Sequence, residues 1–95
     1  MSRFDQAKMA MKIKKLQKEL EKQIFTIEKG DGAVKVEING EQKLKKIRIS
    51  EDAVKDIEQL ELWLEEAVRE AINTSQRAAT EKMQPMMGAL GDLGL

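Results

Sequence analysis

The residues able to do chemistry in this 95-residue chain are a few hydroxyls, many carboxylates and a dense set of lysines. Ser2, Ser50, Ser75 and a few threonines are the candidate nucleophiles. None has a histidine to deprotonate it, because the chain contains no His, and imidazole is the commonest general base. A serine–lysine pair would need a buried lysine with a lowered pKa, and the lysines fall on polar faces. Glu61, Glu65 and Glu66 are closely spaced, but on a helix they read as a solvated face rather than an acid/base pair or a metal site. Cys is absent too, which excludes disulfides and thiolate ligation. Gly30-Asp31-Gly32 lies between two expected strands and opens no helix, so it is no phosphate-cradling loop. The sequence implies no catalytic residue, no metal, no cofactor and no small-molecule substrate. It reads as a binding or structural module, not an enzyme.

What remains is the charge pattern. The net charge is zero, but residues 1–50 hold 13 Lys and Arg against 7 Asp and Glu, a surplus of six positive charges. Residues 51–95 hold 4 against 10, a surplus of six negative charges. Such a split either marks a polyanion-binding surface or reflects halves that pair, within one chain or between chains. Lys8, Lys15, Lys18 and Lys22 suit phosphate contacts, which give affinity without sequence information. With two Phe, one Trp and no Tyr, stacking on single-stranded bases is nearly unavailable.

The elements that must carry these residues can be read from periodicity. Residues 3–23 have no Gly or Pro and are rich in good helix formers. Met9, Ile13, Leu16 and Leu20 make one apolar stripe, with Lys8, Lys14, Lys15, Lys18 and Lys22 mainly opposite. Phe4 and Met11 fall on the basic side and are expected to pack against a second subunit. Residues 24–50 predict a three-stranded antiparallel sheet. Ile24 to Glu28 has strand composition, and Val34, Val36 and Ile38 alternate with polar residues. Asn39-Gly40 predicts a type I′ hairpin turn with positive φ at both positions. Leu44 has the wrong parity for Ile47 and Ile49, so a bulge is expected near Lys45-Lys46.

Asp56 is the expected N-cap of a long helix over residues 57–83, with Gln59 three residues on. Pro85 is expected to end it, leaving residues 86–95 as a mobile tail. This helix would overhang a small sheet. Leu62 lies off its apolar stripe and Trp63 at the margin, which suggests a subunit contact. A chain this small, lacking other staples, favours oligomerisation. The fold expected is α+β, in the order α-β-β-β-α, one domain, as a homodimer with helical arms around a central β core. No apolar run is long enough to span a membrane, and the N-terminus lacks a signal-peptide core, so a cytoplasmic protein is expected.

The run Gly32-Ala33-Val34-Lys35-Val36-Glu37-Ile38-Asn39-Gly40 resembles the signature strand and turn of the YbaB/EbfC family of bacterial nucleoid-associated proteins. Ile47-Arg48-Ile49 resembles that family's next strand. Leu60-Glu61, Ala67 and Ala71 resemble its second-helix pattern. The resemblance spans about residues 5–90. It implies a tweezer-like homodimer that binds double-stranded DNA in the nucleoid. The chain departs from the family's pattern at Arg69, where Asn is usual. Arg69 either adds a phosphate contact or pairs with Glu65 or Glu66. The expected DNA contacts are Lys8, Lys14, Lys15, Lys18 and Lys22, with Arg69 and Arg77 from the second helix. The alternative is a protein-interaction scaffold or chaperone-like clamp, using Phe4, Met11, Leu62 and Trp63 as exposed apolar contacts.

Overall fold

A computed structural model describes the backbone of residues 3–92 and the side chains of residues 5–85. Helix α1 spans Arg3–Lys22. Three strands follow, β1 (Ile24–Lys29), β2 (Val34–Asn39) and β3 (Leu44–Ile49). A 3₁₀ turn over Asp52–Lys55 leads into helix α2, Ile57–Asp92. The sheet is antiparallel in the order β1-β2-β3, as the alternating pattern requires.

The core sits on one face of the central strand. Val34, Val36 and Ile38 are fully buried against Ala67 and Ala71 of α2. The two alanines carry no bulk, so the helix axis can approach the sheet closely. Phe25, Ile27, Leu60, Trp63, Leu64, Val68 and Ile72 complete the cluster. Helix α2 lies over β1 and β2, while β3 lies outside its cover. The opposite face of the sheet carries Lys35, Glu37, Lys46 and Arg48 and is polar.

The bulge falls where parity places it. Glu37 pairs with Lys46 and Ile38 with Leu44, so Lys45 is the extra residue. Its insertion returns Leu44 to the face shared by Ile47 and Ile49. The start of α2 also follows expectation: the Gln59 amide donates to Asp56 Oδ1 at 3.1 Å, satisfying one of the first-turn donors.

Two local expectations fail. Neither Asn39 nor Gly40 has positive φ; that conformation falls on Gln42, at 63°. The Gln42 amide donates to the Asn39 carbonyl and the Asn39 amide to the Lys43 carbonyl. The loop is therefore a three-residue connection ending in a left-handed residue, and the Asn-Gly pair is employed elsewhere, as described below. Pro85 does not end α2, which runs on to Asp92. Proline forfeits one hydrogen bond, to the Glu81 carbonyl. Both Glu81 and Pro85 are exposed, so water can serve that carbonyl, and Met86, Met87, Ala89 and Leu90 are adequate helix formers. Of the expected tail, residues 93–95 lie outside the described residues.

Trp63 has an intramolecular partner. A Cβ at Gly30 would lie 2.7 Å from the indole ring, so the β1–β2 corner presses its backbone onto Trp63. Gly30 also has φ 62°, so both space and conformation favour glycine there.

Candidate nucleic-acid interface

The placement of the lysines depends on how α1 is attached. Its final carbonyls need partners that a helix cannot supply itself. Asn39 and Gly40 supply them. The Gly40 amide donates to Leu20 O at 2.7 Å and to Gln23 O at 3.1 Å, and Asn39 Nδ2 donates to Glu21 O at 3.2 Å. The Asn39 side-chain oxygen accepts from the Glu41 and Lys43 amides, which holds the β2–β3 loop. Ser75 of α2 closes the junction, donating through Oγ to Asn39 O and accepting from the Gln42 amide and side chain. Asn39 and Ser75 are fully buried, and no buried side-chain polar atom among the described residues lacks a partner. One polar knot thus joins α1, the hairpin and the middle of α2.

Beyond this knot both helices project. Glu19 of α1 pairs with Lys82 of α2 at 3.1 Å, so the distal half of α2 runs beside α1 in the opposite direction. The molecule is 62 Å long and only 20 × 15 Å across. The first half of α2 is sheet cover and the second half is arm, which is the expected overhang.

Lys8, Lys14, Lys15, Lys18 and Lys22 are all exposed on α1. Lys14, Lys15 and Lys18 line one shallow depression together with Met11, which is 71% exposed. Residues 6–18 contain no Asp or Glu. Among the described residues, Lys14, Lys15, Lys18 and Lys22 make no ion pair. The basic half of the chain therefore does not spend these charges on the acidic half. The pairs that do join the halves are Lys82–Glu19 and Lys29–Glu70, the latter at 2.6 Å. The Glu70 carboxylate, by accepting that hydrogen bond, raises the Lys29 pKa above its ordinary value; burial opposes this and Glu66 adds to it. A raised lysine pKa stabilises the fold below about pH 10.5 and loses that contribution only as pH climbs through the folded-state value.

The two arginines are placed apart from the lysine face. Arg69 donates to Glu65 at 2.5 Å, taking the ion-pair role rather than standing free. Arg77 lines a depression with Phe25, Thr74 and Glu81. Among the expected subunit contacts, Leu62 is 53% exposed, Trp63 faces Gly30, and Phe4 lies outside the described side chains. Pattern reading missed two features. Lys12 joins Lys15 and Lys82 around a groove between the helices, because Lys82 sits on the apolar side of α2 and only the fold reveals its neighbours. The row Leu44, Ile47 and Ile49, 43–48% exposed, has core chemistry without cover.

An α-β-β-β-α chain with a lysine-lined helical arm defines a small charged binding module, and a solved structure shares the architecture. An uncharacterized protein from Helicobacter pylori superposes with a TM-score of 0.75 over 84% of this chain and 95% of its own, at 21% identity. The YbaB/EbfC DNA-binding family matches residues 2–90, and the chain belongs to that family. Relatives named nucleoid-associated protein include one from Chloroflexus aurantiacus, 36% identical over 87 residues, covering 90% of this chain and 87% of that protein. Another, from Clostridium novyi, is 32% identical over 90 residues, covering 93% and 79%. No helix among the described residues is long and apolar enough to cross a membrane.

Proposed function

We propose that this chain is a non-enzymatic, nucleoid-associated protein that binds double-stranded DNA with low sequence specificity, as a homodimer, through the outer face of α1. The observation that carries the reading is the group Lys14, Lys15, Lys18 and Lys22, exposed on a projecting arm and making no ion pair among the described residues. Lysine ammoniums on such an arm suit phosphate oxygens, and contacts of that kind release counterions without reading bases. Arg77 is a further candidate contact, whereas Arg69 is committed to Glu65. The dimer is supported by β3. Leu44, Ile47 and Ile49 lie on the core face of an edge strand that α2 leaves open, and a chain of this size gains from burying them against a second copy.

The test is fluorescence anisotropy on a duplex at several salt concentrations. Lys15→Glu with Lys18→Glu should weaken binding at least about ten-fold on every sequence tried, and flatten the log–log salt slope by roughly 2. Absence of duplex binding at about 50 mM salt would overturn the DNA reading. An unchanged slope would remove α1 from the interface.

A further inference from the structure

The uncompensated charge on α1 has a counterpart at the other end of the same molecule. Leu62 stands exposed on the outward side of α2, with Glu58 one helical turn before it and Glu65 and Glu66 one turn after. Arg69 offsets Glu65. Glu58 and Glu66 make no ion pair among the described residues. An exposed leucine ringed by carboxylates has a specific complement: an apolar recess ringed by ammoniums.

The groove between the helical arms has that chemistry. Its floor is Met9, Leu16 and Pro85, and Lys12, Lys15 and Lys82 stand around it. Its one carboxylate, Glu19, is taken up by Lys82, so Lys12 and Lys15 are left in excess. The groove measures about 320 Å³, room enough for a leucine side chain.

We propose that a second copy of this chain docks Leu62 and its flanking glutamates into the groove between α1 and α2, forming a head-to-tail contact. Charge complementarity identifies the occupant. The chain is neutral because a surplus of six positive charges in one half meets an equal negative surplus in the other, and Lys12 and Lys15 on α1, like Glu58 and Glu66 on α2, make no ion pair among the described residues. Every molecule therefore presents both members of the pair at equal concentration. The two surfaces differ, so the contact is heterologous and does not close on itself; it generates open chains of molecules. It is distinct from a two-fold contact at β3 and needs no DNA to form. Because Lys15 belongs both to the groove and to the proposed phosphate face, duplex DNA and the docked copy would compete for it.

Sedimentation velocity on nuclease-treated protein tests the contact without DNA. At about 50 mM salt the weight-average sedimentation coefficient should rise with protein concentration beyond the basal species; at about 500 mM it should not. Lys12→Glu with Lys15→Glu should abolish the rise, and so should Glu58→Lys with Glu66→Lys. An equimolar mixture of these two proteins should restore it, since each then carries the surface the other lost. Should either double variant misfold by circular dichroism, Leu62→Ser serves instead, with at least about a ten-fold drop in association expected. No salt-dependent growth in the unaltered protein, a mixture no larger than its components, or growth undiminished by Leu62→Ser would each overturn the proposal. Failure of the protein to bind duplex DNA would leave these outcomes intact.

Discussion

Replacing Gly40 with alanine will cost about 2–4 kcal/mol of stability and loosen α1 from the rest of the molecule. A Cβ at this position would lie 2.7 Å from Leu20 O and 2.9 Å from Leu20 Cα. Those are backbone atoms of a helix, which cannot rotate aside as a side chain can. Helix α1 must retreat, and retreat lengthens the hydrogen bond from the Gly40 amide to Leu20 O, now 2.7 Å. Urea denaturation gives the loss in stability, and hydrogen exchange should show α1 amides losing protection before those of the sheet. Gly32→Ala is the control. Its Cβ would meet nothing closer than the Lys35 side chain at 3.8 Å, so only the strain of its positive φ is felt, about 1 kcal/mol. Equal losses at the two glycines would refute a packing role for Gly40.

Ile47→Asp is the second large effect. If two copies meet over β3, a carboxylate at the middle of Leu44, Ile47 and Ile49 must be desolvated in the contact. The dimer dissociation constant should rise at least about 30-fold, the equivalent of a hot-spot loss near 2 kcal/mol. Sedimentation equilibrium at high salt measures it with the head-to-tail contact suppressed. Since Ile47 is 45% exposed in the single chain, the isolated fold should tolerate the change. A dimer of undiminished stability would move the two-fold contact away from β3, toward the exposed Met11 and Leu62.

The order of elements was legible because each carries its own period: a lysine-rich run without Gly or Pro, a strict alternation at Val34–Ile38, an Asp cap ahead of α2. Even the extra residue Lys45 was readable, since Leu44 broke the parity of Ile47 and Ile49. Asn39-Gly40 was misread for a reason that periodicity cannot repair. Local pattern sees a dipeptide suited to a turn, whereas its amide groups serve carbonyls of α1 some 18 residues earlier. The packing of Trp63 on Gly30 is invisible to pattern reading because Gly30 has no side chain to register as apolar. Alternation shows which face of β3 is apolar but not that α2 is wide enough for only two strands. The exposure of Lys8, Lys14, Lys15, Lys18 and Lys22 follows from their spacing on α1. The groove was not, because it pairs residues from opposite ends of the chain.

The knot at Asn39 and Ser75 also has a mechanical meaning. From Ser75 to the last described residue of α2, Asp92, the helix extends about 25 Å at 1.5 Å per residue. A swing of about 10° at the knot carries the tip of that rod through roughly 4 Å, close to the 3.4 Å rise between neighbouring nucleotides. The seryl hydroxyl, bonded to Asn39 and Gln42, thus pins the root of a lever, and its bonds set where the distant tip comes to rest.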